Sequence, residues 1–279
     1  MSKMPLVNFD QHFAEFTSAW MKEHESEYET YDDLEADLPR VYMLFLNTRA
    51  PWLGSLTPGS YFTQFEDPKV LVDWLAQYCA EKVPVPDLLL EQITFVGKPC
   101  EKRLMRLLED PEAEAEARMI AVGLLRDLKS TMPKMLYINW QLDRAEKDEL
   151  KDNALESLQE MGESVVQPIL QVISKANDAG QEALMDVLAR YPGQEAIFRT
   201  ALNYFNGHPE KRALFAGYLA RIGDDRALPD LMAAARESDL SYLTFIEIRN
   251  AIEQLGGECP ERVFDDDPEY EALRGMDLT

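Results

Sequence analysis

The stretch Lys211-Arg-Ala-Leu-Phe-Ala-Gly-Tyr-Leu-Ala-Arg-Ile-Gly-Asp-Asp-Arg-Ala-Leu-Pro-Asp-Leu231 decides the fold of this chain. Its apolar residues recur at helical spacing as far as Ile222, and Gly223 then ends the predicted helix. Pro229 follows six residues after Gly223, where a second helix is predicted to have just begun. The first N–H groups of a helix have no intrahelical acceptor, so a proline at this position removes no hydrogen bond. The stretch therefore predicts two helices joined by a short turn.

The same pattern recurs along the chain. The segments 158–162, 188–192, 219–223 and 252–256 superpose at steps of 30, 31 and 33 residues, and each ends a predicted helix. Pro168 repeats the position of Pro229, six residues after Gly162. An earlier copy ends at Gly97. Residues 117–145, around Pro133, supply one more unit between this copy and the copy that ends at Gly162.

Residues 211–231 resemble the HEAT-like repeat of the phycobilisome-lyase type, with matching residues at Ala213, Ala216, Leu219, Ile222, Gly223, Asp224, Ala227, Pro229 and Leu231. The resemblance is weaker over 88–257 and does not cover residues 1–85. It implies a right-handed α-solenoid, in which stacked helix pairs share one continuous core. We expect an N-terminal helical region or cap over 1–85, the solenoid over 86–259, and an acidic C-terminal cap or tail over 260–279.

The remaining sequence also favours an all-α fold, because runs of alternating β-branched residues do not occur. Thr57 and Asp67 precede Pro58 and Pro68 and are predicted N-caps. The acidic stretch 22–37 is interpreted as a solvated helix end or loop. Four apolar residues beyond position 259 either cap the final apolar layer, which we favour, or form a short linear ligand: Val263, Phe264, Tyr270 and Leu273.

The charge of the chain restricts its partners. With 51 Asp and Glu against 28 Lys and Arg, the net charge of −23 argues against nucleic acid and against an anionic membrane surface. No stretch is long and apolar enough for a membrane span, and the first residues lack the apolar region of a signal peptide. Three cysteines without metal spacing indicate a reducing compartment, so we expect a cytoplasmic protein.

The sequence contains no recognisable catalytic or metal-binding motif. The three histidines, His12, His24 and His208, are outside any such motif; packing is favoured for His12 and a turn position for His208. The acidic run 265–267 lacks the glycine and spaced ligands of an EF-hand, which favours a flexible tail over a cation site. No catalytic residue, metal ligand or cofactor is therefore predicted. An enzyme is disfavoured, although carboxylate pairs among the 51 acids leave catalysis open.

The polar faces of the predicted helices carry the candidate binding residues. Lys102 and Arg106 share a face that either meets an acidic partner or phosphate, or pairs with Glu101, Asp110 and Glu112. Trp140 is a candidate interface anchor, because it neighbours an arginine on its helix. If the second helices of successive pairs turn their polar faces inward, the concave side of the solenoid carries Tyr137, Gln141, Arg144, Gln167, Gln171, Arg199, Asn203 and Asn206.

These features favour a non-enzymatic interaction scaffold. Its partner is expected to be a protein or peptide with a basic segment, bound on the concave face. The resemblance implies two alternatives: a bilin-lyase-like or cofactor-handling enzyme, and a helical-repeat DNA glycosylase, which the charge disfavours. A third alternative is a structural subunit that functions only within a complex, and exposed apolar patches in residues 1–85 would favour it.

Overall fold

A computed structural model describes residues 5–28, 30–145, 147–264 and 267–276. Over this part of the chain the structure has 17 α-helices, several short 3₁₀ helices and no strand, which confirms the all-α prediction. Among the same residues, none of the helices is both long and apolar enough to cross a membrane.

Backbone contacts divide the chain into two compact units, residues 1–133 and 134–279. The boundaries predicted at 85/86 and 259/260 lie inside these units and stay predictions. The α-helices of the first unit are α1 (Phe9–His24), α2 (Tyr31–Ala36), α3 (Leu38–Asn47), α4 (Pro58–Tyr61), α5 (Pro68–Ala80), α6 (Asp87–Val96), α7 (Glu101–Glu109) and α8 (Ala115–Asp127). Its 3₁₀ helices are Glu25–Glu27, Pro51–Leu53, Phe62–Gln64 and Lys98–Cys100.

Helix α5 lies at the centre of the first unit. Trp74 and Tyr78 on this helix are fully buried, and the Trp74 ring lies 5.0 Å from that of Phe62. The Tyr78 hydroxyl donates to the carbonyl of Val7 and accepts from its N–H group, at 3.1 and 3.2 Å. The chain before α1 is therefore tied to the core by hydrogen bonds as well as by packing.

Both predicted helix starts of this unit are confirmed, but of the two predicted N-caps only Asp67 is confirmed, and the prediction for Thr57 is wrong. Asp67 caps α5 by accepting a hydrogen bond from the Lys69 N–H group, and Pro68 is the first helical residue. Thr57 precedes α4, but its hydroxyl contacts Ser60 Oγ and caps no N–H group. The acidic stretch 22–37 contains the end of α1, a 3₁₀ helix and α2, and Leu34 is its buried anchor.

The second unit contains nine of the helices in the described residues. They are α9 (Lys134–Leu142), α10 (Glu149–Glu160), α11 (Val166–Val172), α12 (Asp178–Leu188), α13 (Glu195–Gly207), α14 (Arg212–Ile222), α15 (Leu228–Ala235), α16 (Tyr242–Gln254) and α17 (Pro268–Met276). Its 3₁₀ helices are Gly162–Val165, Ile173–Lys175, Pro209–Lys211 and Asp225–Ala227.

The recurring segments do mark helix ends. Gly223 follows the last residue of α14 with a φ of 74°, and its N–H group donates to the Leu219 carbonyl. A residue with a side chain would be strained in this left-handed conformation. A glycine with positive φ lies one or two residues after the end of α6, α10 and α16 as well: Gly97, Gly162 and Gly256. Helix α12 differs, because it ends at Leu188 with Ala189 as its C-cap. The helix ends are thus confirmed, whereas the repeat assignment stays a prediction.

The chain after α16 folds back onto that helix. The Phe264 ring is buried 5.1 Å from Phe245, and the Tyr270 ring lies 4.9 Å from Tyr242. Asp267 accepts hydrogen bonds from the N–H groups of Tyr242, Glu269 and Tyr270. Val263 is exposed, and the side chain of Leu273 lies outside the described residues.

Candidate functional site

A groove of about 680 Å³ runs between α6 and α8 in the first unit. Each helix contributes one face, because the lining residues recur at spacings of three and four. Helix α6 contributes Asp87, Leu90, Glu91, Thr94 and Phe95, and α8 contributes Ile120, Gly123, Leu124 and Asp127.

The floor of the groove is apolar because α6 carries apolar residues on two faces. Leu89 and Ile93 point into the core and are fully buried. Gln92 fixes this rotation of the helix, since its buried side-chain amide donates to the Phe65 carbonyl at 2.8 Å. The outward face then presents Phe95, which is 81% exposed. Transfer of an exposed aromatic ring from water to the apolar surface of a partner is favourable, so this ring can contribute to binding.

Three carboxylates form the rim of this groove: Asp87, Glu91 and Asp127. All three are exposed, and none takes part in an ion pair among the described residues. The negative charge of the α6 edge reaches Tyr42 on α3. Burial raises the pKa of the Tyr42 hydroxyl, and the charges of Asp87 and Glu91 raise it further. The rim is therefore electrostatically suited to cations.

The ionisable side chains that line the groove are all carboxylates. The lining residues also include one hydroxyl, from Thr94, but no histidine, cysteine, lysine or arginine. An apolar floor with acidic edges fits the apolar side chains of a ligand that is flanked by positive charge.

The exposed residues predicted to bind a partner lie outside this groove. Lys102 and Arg106 are exposed on α7 and make no ion pair with a described residue, so the expected pairing with neighbouring acids is not observed. In the second unit, Gln167 and Gln171 are exposed on α11, and Arg199, Asn203 and Asn206 are exposed on α13. Arg199 pairs with Glu195 at 2.6 Å, and Asn206 donates to Asp230 at 2.8 Å. Their role in binding stays a prediction.

The prediction that α9 turns an accessible polar face towards a partner is wrong. Tyr137 and Gln141 are 0% exposed and Arg144 is 8% exposed. Helix α9 packs against α10, α11 and α12, and this enclosure buries the side that the sequence pattern assigned to solvent. The Gln141 and Arg144 side chains are satisfied internally, since Arg144 donates to Gln141 Oε1 and pairs with Asp152. Trp140 is half-buried, with its ring 5.7 Å from that of Tyr137.

The groups most suited to catalysis have packing roles. His12 stacks on Trp52 at 3.9 Å, and His24 stacks on Trp20 at 4.4 Å, while His208 lies in the turn after α13. Burial raises the pKa of the Cys79 and Cys100 thiols to about 11, which keeps both protonated at neutral pH. Asp265 and Asp266 of the acidic run lie outside the described residues. Within the described residues no group of three or more potential ligands is placed to hold a metal ion.

No protein-family model, curated protein or solved structure matches this chain. The groove itself was not predicted from the sequence. A signal for it exists in residues 87–96, where Leu88, Leu89, Leu90, Ile93, Phe95 and Val96 are too many and too widely distributed for a single buried stripe.

Proposed function

We propose that this protein is a non-enzymatic interaction scaffold that binds a protein or peptide with a basic segment in the groove between α6 and α8. The observation that supports this most directly is the exposed ring of Phe95, in an apolar groove edged by Asp87, Glu91 and Asp127. The net charge of −23 adds a long-range attraction for a basic partner.

The free energies of individual contacts indicate how much each of these groups would contribute to the binding affinity. Burying a large apolar side chain such as Phe95 contributes about 1.5–3 kcal/mol. An exposed ion pair at the rim contributes about 0.2–1 kcal/mol and mainly speeds association. We therefore expect the apolar floor to supply most of the affinity, and the carboxylates to supply selectivity for basic partners.

The order of helix contacts supports the α-solenoid as the architecture of the second unit. Helix α10 packs against α12, and α14 packs against α16. Between these pairs, Tyr218 of α14 donates to the Glu182 carbonyl of α12 at 3.1 Å. Helices 10, 12, 14 and 16 thus contact one another in sequence, as the first helices of stacked pairs do. The exposed residues of α11 and α13 remain candidates for a second binding surface.

The decisive experiment is a quantitative pull-down from a lysate of the source organism. The groove variant carries Glu91→Lys and Asp127→Lys, and the matched control carries Glu109→Lys and Glu112→Lys, which are exposed residues outside the groove with the same change in charge. We expect a stoichiometric partner to bind the wild type and the control, to be lost from the groove variant, and to bind less at higher salt. Equal recovery with both variants, or no partner in any of them, would overturn the proposal.

A second candidate function is a structural subunit of a larger complex. Met43 and Leu44 on α3 are exposed, and they form an apolar surface within residues 1–85. Size-exclusion analysis of the lysate tests this candidate: the protein would elute in a complex, and Met43→Ser with Leu44→Ser would release it. Elution of the unmodified protein as a free monomer would contradict it.

A further inference from the structure

Gly123 lies in the middle of α8 and lines the floor of the groove. Its φ is not positive, so its backbone conformation does not require glycine. A Cβ atom at this position would meet no other atom within 4 Å, so packing within the chain does not require glycine either. Glycine in a helix interior is less favourable than alanine, so helix stability alone would favour a side chain at this position. The glycine instead leaves the groove deeper at Gly123.

Gly180 shows the contrast within the same chain. A Cβ atom there would lie 2.0 Å from the Gln141 carbonyl oxygen, so the close approach of α9 and α12 requires glycine at this position. At Gly123 the corresponding space is open to the groove. An occupant of the groove can use this space for the same kind of close backbone approach.

The backbone chemistry of the groove walls favours a helical occupant. Both walls are helices, whose interior N–H and C=O groups are hydrogen-bonded within α6 and α8. An extended peptide would find few backbone partners there and would leave its own polar groups unpaired. A helix satisfies its own backbone and contributes only side chains. The lining of α6 extends over about 12 Å, which matches about two turns of such a helix.

The charges define the polar edges of this helix. Asp87 and Glu91 lie one turn apart on the α6 wall, and Asp127 lies on the α8 wall. A helix between them faces carboxylates on both sides. Its apolar stripe must therefore be flanked by lysine or arginine on both edges.

We infer that the groove binds an amphipathic α-helix of a partner protein, with a basic residue on each side of its apolar stripe and with its backbone crossing α8 at Gly123. This inference rests on the proposed function and names the structural element that the scaffold recognises. The apolar stripe packs on Phe95, Leu90 and Ile120, and a small residue of the partner faces Gly123.

The test uses a fluorescent peptide of about five helical turns, built from alanine, a leucine stripe and flanking lysines, with the full chain as receptor. A second peptide has the same composition in scrambled order, and a third carries two prolines in its centre. Fluorescence anisotropy at low and moderate salt reports their affinities. We expect the first peptide to bind at least about tenfold more tightly than either of the others.

Variants of the chain locate the contact. Gly123→Leu places a side chain in the groove, and we expect it to weaken binding of the first peptide by about tenfold or more. Gly217→Leu is the control, because Gly217 also lies within a helix and also has no neighbour within 4 Å of an added Cβ atom. It lies on α14 and is exposed, whereas Gly123 is half-buried. Leucine is the better helix former at both positions, so both variants are expected to fold, which thermal unfolding verifies.

Equal affinity for the proline-containing or scrambled peptide would overturn the helical occupant, and undiminished binding by Gly123→Leu would overturn the crossing at Gly123. The natural partner separates this inference from the proposed function. If charge reversal of Glu91 and Asp127 releases that partner but Gly123→Leu does not, the groove binds it and the helix inference fails. If neither variant releases it, the proposed function itself fails.

Discussion

The Arg144 guanidinium donates to the side-chain carbonyl of Gln141 at 2.7 Å, and both residues are buried at the end of α9. The Gln141 amide donates in turn to the Lys151 carbonyl at 3.0 Å. Asn177 closes the arrangement: its side chain donates to the Arg144 carbonyl, and its N–H group donates to the Leu142 carbonyl, both at 2.8 Å. One polar network therefore joins α9 to the first turns of α10 and α12.

Gln141→Leu is expected to lower the free energy of unfolding by about 1–3 kcal/mol, because it leaves the Arg144 N–H group and the Lys151 carbonyl without their buried partner. Urea unfolding measures this loss. Arg144→Met with Gln141→Leu should cost less than the sum of the two single changes, because the two residues share one hydrogen bond. Strictly additive costs would show that the contact contributes nothing to stability.

Two glycine substitutions should have opposite effects on stability. Gly180→Ala forces a methyl group against the Gln141 carbonyl oxygen and is expected to lower the free energy of unfolding by about 1–3 kcal/mol. Gly217→Ala adds a methyl group in open space and is expected to raise it by about 0.5–1 kcal/mol through helix propensity. Thermal unfolding of both variants beside the wild type checks the two signs. A stable Gly180→Ala variant would contradict the close approach.

Alkaline pH should destabilise the first unit through Tyr78. Burial raises the pKa of Tyr78 to about 12, although the hydrogen bond with Val7 lowers it in part. Below a pH of about 10 the phenol is neutral in both the folded and the unfolded states, so its contribution to stability is complete. As the pH rises towards 12, only the unfolded chain loses the proton, and stability falls.

Unfolding free energies measured across this alkaline range test the prediction. Tyr78→Phe should be less stable by about 1 kcal/mol at neutral pH, because its hydrogen bonds with Val7 are lost. The same variant should show a shallower decline above pH 10. Parallel pH curves for the variant and the wild type would exclude Tyr78 as the source.

Asp267 should control the docking of the chain after α16. Partial burial acts to raise the Asp267 pKa, but hydrogen bonds from the N–H groups of Tyr270, Tyr242 and Glu269 outweigh it and lower the pKa below its ordinary value. The carboxylate therefore stabilises this contact above the ordinary pKa, and the stabilisation is lost as the pH falls through the lowered value. Asp267→Ala should speed amide hydrogen exchange at those three residues.

The control for this exchange experiment is Glu261→Ala, which removes an exposed carboxylate from the same segment. It should leave the exchange rates of the three amides unchanged. If both variants speed exchange equally, a general loss of negative charge, and not the cap formed by Asp267, is responsible.

Solubility should fall steeply near a pH of 4.5, the sequence pI, where the net charge of −23 disappears and self-repulsion is lost. Light scattering between neutral pH and this value measures the association. Solubility that stays constant down to pH 4.5 would contradict the prediction.

Local features of this protein could be predicted from its sequence. The cap and first residue of α5, Asp67 and Pro68, and the glycine after α14, Gly223, act through atoms within a few residues along the chain. Helical periodicity is also local, and it predicted the all-α fold without knowledge of any neighbour. The physical reason is that hydrogen bonds and backbone conformation at helix ends depend little on distant residues.

Exposure was decided only by the tertiary structure. Gln141 and Tyr137 looked like a solvent-facing pair, yet α10, α11 and α12 enclose α9 and bury both. No prediction from the sequence singled out Phe95, and it is the Gln92 hydrogen bond to the Phe65 carbonyl that fixes α6 with this ring outward. A helix pattern states which residues share a face, whereas the neighbours that cover a face come from distant parts of the chain. The sequence by itself therefore determined the helices of this protein, and the packing between them decided where its candidate binding groove lies.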